Sequence, residues 1–209
     1  MAMTTAPTPS SAGQHKLSVQ PLISPRGFTF PSLYSFPPFF TQQPNEQTWA
    51  HQRAQWITLI LAYSRFHKTY RLELTDETCA GELFHNKSIN RRLHLATLRN
   101  IVEAMVAAGS AEYDPPKPAK GQLPTAALVF WRKPEEWANL IYDWIKESGL
   151  TNSIMTFYEL TEGGDLVHTT EFYQLSEPIL RRALDVLIKA GKAQVFKGLG
   201  EDGDGVKFV

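Results

Sequence analysis

Few residues in this chain are spaced for chemistry. The single cysteine, Cys79, and the histidines His85 and His94 are scattered, whereas a tetrahedral metal site draws its ligands from short, fixed spacings. No serine–histidine–carboxylate or cysteine–histidine pattern stands out. Glu135 and Glu136 are adjacent, so on a helix they diverge instead of sharing a substrate. Gly198-x-Gly200-x-x-Gly203 has the spacing of a dinucleotide fingerprint, but that motif needs a helix behind it. None is predicted, and Glu201, Asp202 and Asp204 would repel a phosphate, so the stretch reads as a hairpin tip. Asn86-Lys87-Ser88 is a glycosylation sequon, which matters only in a secreted chain. The census holds no catalytic constellation and points away from an enzyme.

What remains is binding. Tyr34-Ser35-Phe36-Pro37-Pro38-Phe39-Phe40 is the densest aromatic run in the chain. Two adjacent prolines fix φ and supply no backbone N–H, which predicts an extended arm close to polyproline II with its rings pointing outward. Burying one Phe is worth about 1.5–3 kcal/mol. Such an arm therefore either closes over its own domain or docks into a groove on another chain, a recurrent mode for Pro-rich segments.

Composition narrows the classes. The chain has 209 residues with 21 Lys+Arg against 21 Asp+Glu, so it lacks the basic surplus common in nucleic-acid binders. One cysteine allows no internal disulfide, which fits a reducing compartment. The longest apolar run, from Trp56 to Ala62, is too short for a membrane span. No signal-peptide core opens the chain. The first acidic residue is Glu46, but only Lys16 and Arg26 are basic before it, fewer than an import helix would carry. These features together predict a soluble cytosolic protein.

Residues 1 to about 27 are polar and aperiodic, and a disordered leader is predicted ahead of the arm, over 1–33. Helical spacing of Trp49, Trp56, Ile57, Ile60, Leu61 and Phe66 predicts a core helix from Gln47 to about Tyr70. A short strand at 71–74, a polar loop at 75–81 and one or two helices over 89–108 follow. A hairpin with a Pro-rich tip at 114–124 completes the first unit. The second unit reads as a helix from Pro134, a strand near Ile154 and a short helix with a Thr156-x-x-Glu159 capping box. A turn at Gly163-Gly164-Asp165, a helix from Ser176 to Ala190 and a terminal hairpin complete it.

The two halves repeat at an offset of 82 residues, where Leu98, Arg99, Ala108, Gly109 and Ala111 recur as Leu180, Arg181, Ala190, Gly191 and Ala193. Each copy is an amphipathic helix, a glycine stop and a hairpin. With the preceding helices this predicts an α+β chain of two tandem winged-helix domains, the arm and first domain over 34–131 and the second over 132–209. A winged helix can place its last helix in the DNA major groove. Arg181, Arg182, Lys189 and Lys192 could then meet phosphates, so a nucleic-acid-binding, transcription-related protein is the alternative reading.

Several segments carry a resemblance. Phe36-Pro37-Pro38-Phe39-Phe40-Thr41 with Gln43-Pro44-Asn45, Trp131-Arg132-Lys133-Pro134-Glu135-Glu136-Trp137 with Leu140-Ile141-Tyr142, Tyr158-Glu159-Leu160-Thr161, and Gly205-Val206-Lys207-Phe208 resemble the small-subunit family of the ESCRT-II complex. The long leader and the 114–124 loop depart from that pattern. The resemblance implies tandem winged-helix domains and a non-enzymatic scaffold with no cofactor, metal, nucleic acid or small-molecule substrate. It implies two copies of this chain with two larger winged-helix subunits. Phe36, Pro37, Pro38, Phe39 and Phe40 would be the partner anchors, Phe40 standing where the family often has Tyr. It further implies that the second domain recruits an ESCRT-III subunit for sorting ubiquitinated cargo into multivesicular bodies. The chain would then be cytoplasmic, with indirect membrane contact at the endosome.

Overall fold

The computed structural model describes residues 21–117, 120–198 and 204–209. Helix α1 (Glu46–Phe66) starts where Asn45 accepts the Thr48 N–H, and it buries Trp49, Gln52, Trp56, Leu59 and Ile60. Strand β1 (Arg71–Glu73) follows. The expected polar loop at 75–81 is instead a one-turn helix, α2 (Asp76–Ala80), because Thr75 Oγ1 caps the Thr78 N–H and Cys79 turns into the core. A two-residue ladder of β2 (His85–Asn86) and β3 (Arg91–Arg92) then precedes α3 (Leu95–Ala107), so the helix expected from Ile89 begins later. Strands β4 (Ala111–Tyr113) and β5 (Ala126–Val129) form the hairpin.

The second unit repeats this order except that a short helix stands in place of the β2–β3 ladder. It comprises α4 (Pro134–Glu147), β6 (Ile154–Thr156), α5 (Phe157–Thr161), α6 (Gly164–His168), α7 (Glu177–Lys189), β7 (Ala193–Phe196) and β8 (Gly205–Phe208). The capping box forms as expected: Glu159 Oε2 accepts the Thr156 N–H at 2.7 Å while Thr156 Oγ1 accepts the Glu159 N–H at 3.1 Å. The turn expected at 163–165 instead opens α6.

Both halves close the same three-stranded antiparallel sheet, ordered β1-β5-β4 in one and β6-β8-β7 in the other. The last strand sits between the first strand and its hairpin partner each time, so the sequence repeat is also a topological repeat. Gly109 and Gly191 end α3 and α7 with φ 70° in both cases, a left-handed conformation that disfavours other residues.

Two apolar cores result. The first gathers Phe28, Phe30, Tyr34, Phe39, Phe40, Trp56, Ile60, Phe84, Leu98, Ile101 and Met105. The second gathers Phe130, Trp137, Ile141, Leu160, Phe172, Leu180, Leu184 and Phe208. The leader expected to be disordered over 1–33 is corrected for its described part. Residues 22–30 fold back on themselves, with Phe30 N–H bonded to Leu22 O at 2.8 Å and Ser24 capping Phe28, and both phenylalanines are buried. Residues 1–20 lie outside the described residues, as does the hairpin tip at 199–203.

Candidate partner-docking site

The arm is not extended. It makes two consecutive 3-10 turns, Ser32–Ser35 and Pro37–Phe40, closed by Phe36 N–H to Leu33 O at 3.0 Å and Phe39 N–H to Phe36 O at 3.0 Å. Adjacent prolines suit the first positions of such a turn. Their missing N–H groups would find no partner there, and their fixed φ is already helical. An outward-pointing row of rings required an extended chain; a turn splits the rings between two faces.

Phe39 and Phe40 point inward. The Phe39 ring lies on the Trp56 indole at 4.2 Å with planes 4° apart. Phe40 meets Trp56 and Tyr34 edge-on at 5.5 and 5.2 Å. The backbone is held as firmly as the rings. Trp56 Nε1 donates to Phe39 O at 2.9 Å, and Gln52 Nε2 reaches the carbonyls of Phe39 at 2.6 Å, Thr41 at 3.1 Å and Pro38 at 3.2 Å. The Tyr34 hydroxyl donates to the Glu82 carbonyl, and burial pushes its pKa far up. Asn86 is itself buried and donates to Tyr34 O at 2.8 Å, so the apparent sequon residue is a structural bracket.

Phe36, Pro37 and Pro38 point outward. Phe36 is 53% exposed in spite of its size, and both prolines are exposed. Phe36 and Pro38 line an open cleft of about 530 Å³ whose walls also include Leu33, His51 and Gln55. Strand β3 packs against the Pro37–Phe40 turn and carries exposed Arg91 and Arg92 beside it. The five residues expected as anchors are therefore not equivalent: three form a rigid outer ridge and two form the brace beneath it. Gln52 was missed from sequence, although a polar residue midway between Trp49 and Trp56 on the buried stripe was its signal.

The other candidates resolve into structure. Among the described residues, no group of three or more His, Cys, Asp or Glu could hold a metal ion. Cys79 is buried and its thiol is pushed up to about 11, chiefly by desolvation, so it stays protonated. Glu136 folds back to accept the Lys133 N–H at 2.7 Å as a helix cap. The arginines offered to phosphates are already paired. Arg181 binds Glu177 and Asp204, each at 2.7 Å, and Arg182 grips Glu112 through Nε at 2.8 Å and NH2 at 2.6 Å. Both guanidinium pKa values are raised by those bonds.

Comparison with known proteins decides the family. The profile described as "ESCRT-II complex subunit" matches residues 33–176. The chain belongs to the ESCRT-II complex subunit family. The vacuolar protein-sorting-associated protein 25 of Danio rerio is 38% identical over 181 residues, covering 87% of this chain and 98% of that protein. The crystal structure of subunit VPS25 of the endosomal trafficking complex ESCRT-II superposes with a TM-score of 0.73 at 27% identity, over 86% of this chain and 98% of that one. A chain of the endosomal complex ESCRT-II (VPS22/VPS25/VPS36) gives a TM-score of 0.71 at 29% identity, with the same coverages. This ESCRT-II subunit is thus an α+β protein of tandem winged-helix domains and a non-enzymatic complex component. The nucleic-acid alternative finds no support in these relatives.

Proposed function

We propose that this chain is the small scaffold subunit of an ESCRT-II endosomal sorting complex, docking on two larger winged-helix subunits through its arm. Phe36, Pro37 and Pro38 make the contact, and Phe39 and Phe40 hold that ridge in position from below. The observation that carries the reading is the split of the arm itself: a large aromatic ring and two prolines stand in solvent on a turn fixed by buried rings and by Gln52. A preordered apolar ridge loses little conformational entropy on binding, and aromatic anchors dominate interfaces of this kind. Two copies of the chain join the assembly. The second domain recruits an ESCRT-III subunit, and its exposed Ile154, Tyr158, Leu166 and Phe196 are consistent with a contact role. The subunit works from the cytoplasm at the endosomal membrane, in sorting ubiquitinated cargo into multivesicular bodies. No helix of the described residues is long and apolar enough to cross a bilayer. Membrane contact on this reading is indirect, through the partners.

The test is the native mass of the full chain co-expressed with the two larger subunits. Deleting residues 1–40 would remove core rings, so point variants are used instead. A complex holding two copies of the chain, lost in the Phe36→Ala, Pro37→Ala, Pro38→Ala triple variant, supports the reading. A monomer in the unmodified sample, or an undisturbed complex in the variant, overturns it.

A further inference from the structure

Tandem domains joined in one chain move relative to each other by default unless their interface is large and apolar. Here the joint leaves little slack. Strand β5 ends at Val129 and α4 begins at Pro134. Of the residues between, Phe130 gives its N–H to Ser110 O at 2.9 Å and Lys133 gives its own to Glu136. First-domain side chains also finish the second core. Tyr70 and Leu128 are buried in it, Tyr70 stacks on Trp131 at 5.4 Å, and Trp131 meets Trp137 edge-on at 5.0 Å.

Charges secure the joint at two independent places. Glu112 pairs with Leu128 across the β4–β5 ladder, so both side chains leave the same sheet face, the one turned to the second domain. Leu128 enters that domain's core while Glu112 takes both forks of Arg182 on α7. Glu171, in the turn after α6, is bound by Arg65 from the end of α1 at 3.3 Å and by Arg132 from the linker, whose guanidinium also lies 5.2 Å over Trp137. Those guanidinium contacts, Arg132 first, hold the Glu171 carboxyl below the usual carboxylate range. Close by, Lys68 Nζ donates to Tyr173 O at 3.1 Å.

We propose that the Glu112–Arg182 fork and the Arg65–Glu171–Arg132 cluster clamp the two winged-helix domains into one rigid body. The apolar stack supplies most of the adhesion. The ion pairs select one orientation, because a slipped joint would leave partly buried charges unpaired. On the function proposed above, the clamp fixes the angle between the docking ridge and the outer face of the second domain. Geometry in the assembly is then set inside this chain rather than by its partners.

The experiment uses the full chain alone. Backbone ¹⁵N relaxation gives a rotational correlation time for each domain, and trypsin cleavage at the Arg132–Lys133 bond reports opening of the joint. The unmodified chain is expected to show one common correlation time. Glu112→Arg sets a second cation against Arg182 and should raise the cleavage rate about tenfold, equivalent to about 1.4 kcal/mol. The charge swap Glu112→Arg with Arg182→Glu should bring it back. If Glu112→Arg does not fold, the Glu112→Gln, Glu171→Gln pair is read in the same way and must speed cleavage. Two different correlation times in the unmodified chain overturn the clamp. So does cleavage unaltered by loss of the carboxylates, or a swap that fails to restore it. Loss of partner binding in the Phe36–Pro38 variants bears only on the docking proposal, so the two can fail separately.

Discussion

Phe39→Ala and Phe36→Ala, three residues apart on one turn, should have opposite consequences. Phe39 is 3% exposed, face-to-face with Trp56. Truncating a buried Phe costs about 3–5 kcal/mol, including the cavity left behind. A domain is stable by about 5–15 kcal/mol in all. With a urea slope of about 2 kcal/mol/M, the first unfolding transition should fall by about 1.5–2.5 M. Phe36 is half exposed and contributes little to its own domain, so its truncation should shift stability by no more than about 0.5 kcal/mol. Yet removal of an aromatic anchor should weaken partner binding by about 2 kcal/mol, close to thirtyfold. Circular dichroism in urea and titration calorimetry against the larger subunits read the two quantities separately. An unchanged midpoint for Phe39→Ala would refute the brace. Unchanged affinity for Phe36→Ala would refute the ridge.

Three further outcomes follow from the same geometry. Gln52→Leu removes one of two donors from each of the Pro38, Phe39 and Thr41 carbonyls, which Gln43 Nε2 and Trp56 Nε1 also reach, and should cost about 0.5–1.5 kcal/mol; a midpoint within error of the unmodified chain would show that Gln43 and Trp56 hold the arm without it. Gly163→Ala would place a Cβ 2.5 Å from Glu159 Cα and 2.8 Å from its carbonyl oxygen, so the α5–α6 turn must shift, at about 1–3 kcal/mol; thermal melting checks this, and an unaffected transition contradicts the close approach. The Glu171 pKa is lowered by Arg132 and Arg65, so its contribution is fully present above the unfolded value of about 4.3 and is lost as pH falls through the lowered folded value. Glu171→Gln should therefore lose less stability than the unmodified chain as pH falls through that range, and parallel pH–stability curves would count against the pairing.

The tandem architecture was legible because it rests on signals that repeat. Leu98 and Leu180, Gly109 and Gly191, and Ala111 and Ala193 keep register across both helices and hairpins, and no local contact can imitate that. The Thr156–Glu159 cap was readable for a similar reason, since its two hydrogen bonds depend only on residues three apart. Helices α2 and α6 were not legible. Each has five residues, too few for a 3.6-residue period to show, and α2 depends on burial of Cys79, a tertiary event. The β2–β3 ladder has two residues per strand and depends on Asn86 reaching Tyr34, 52 positions earlier.

The arm shows why such limits matter for function. Four rings around two prolines announce that apolar surface must be covered, but hydrophobicity does not say by what. Its own core and a partner's groove are chemically the same environment. The decision lies on α1, where Gln52 and Trp56 present donors to the carbonyls of Pro38, Phe39 and Thr41. Those bonds fix the turn, and the turn directs each ring. Phe39 and Phe40 are then inside, their rings against Trp56 on α1, and Phe36 is left on the outer face. A chain with the same seven arm residues but no Gln52 would lose the donor shared by three carbonyls, each then held only by Gln43 or Trp56, and the ridge would be fixed less tightly. On this reading, the specificity of the docking surface is stored partly in Gln52, buried on α1 beneath the ridge.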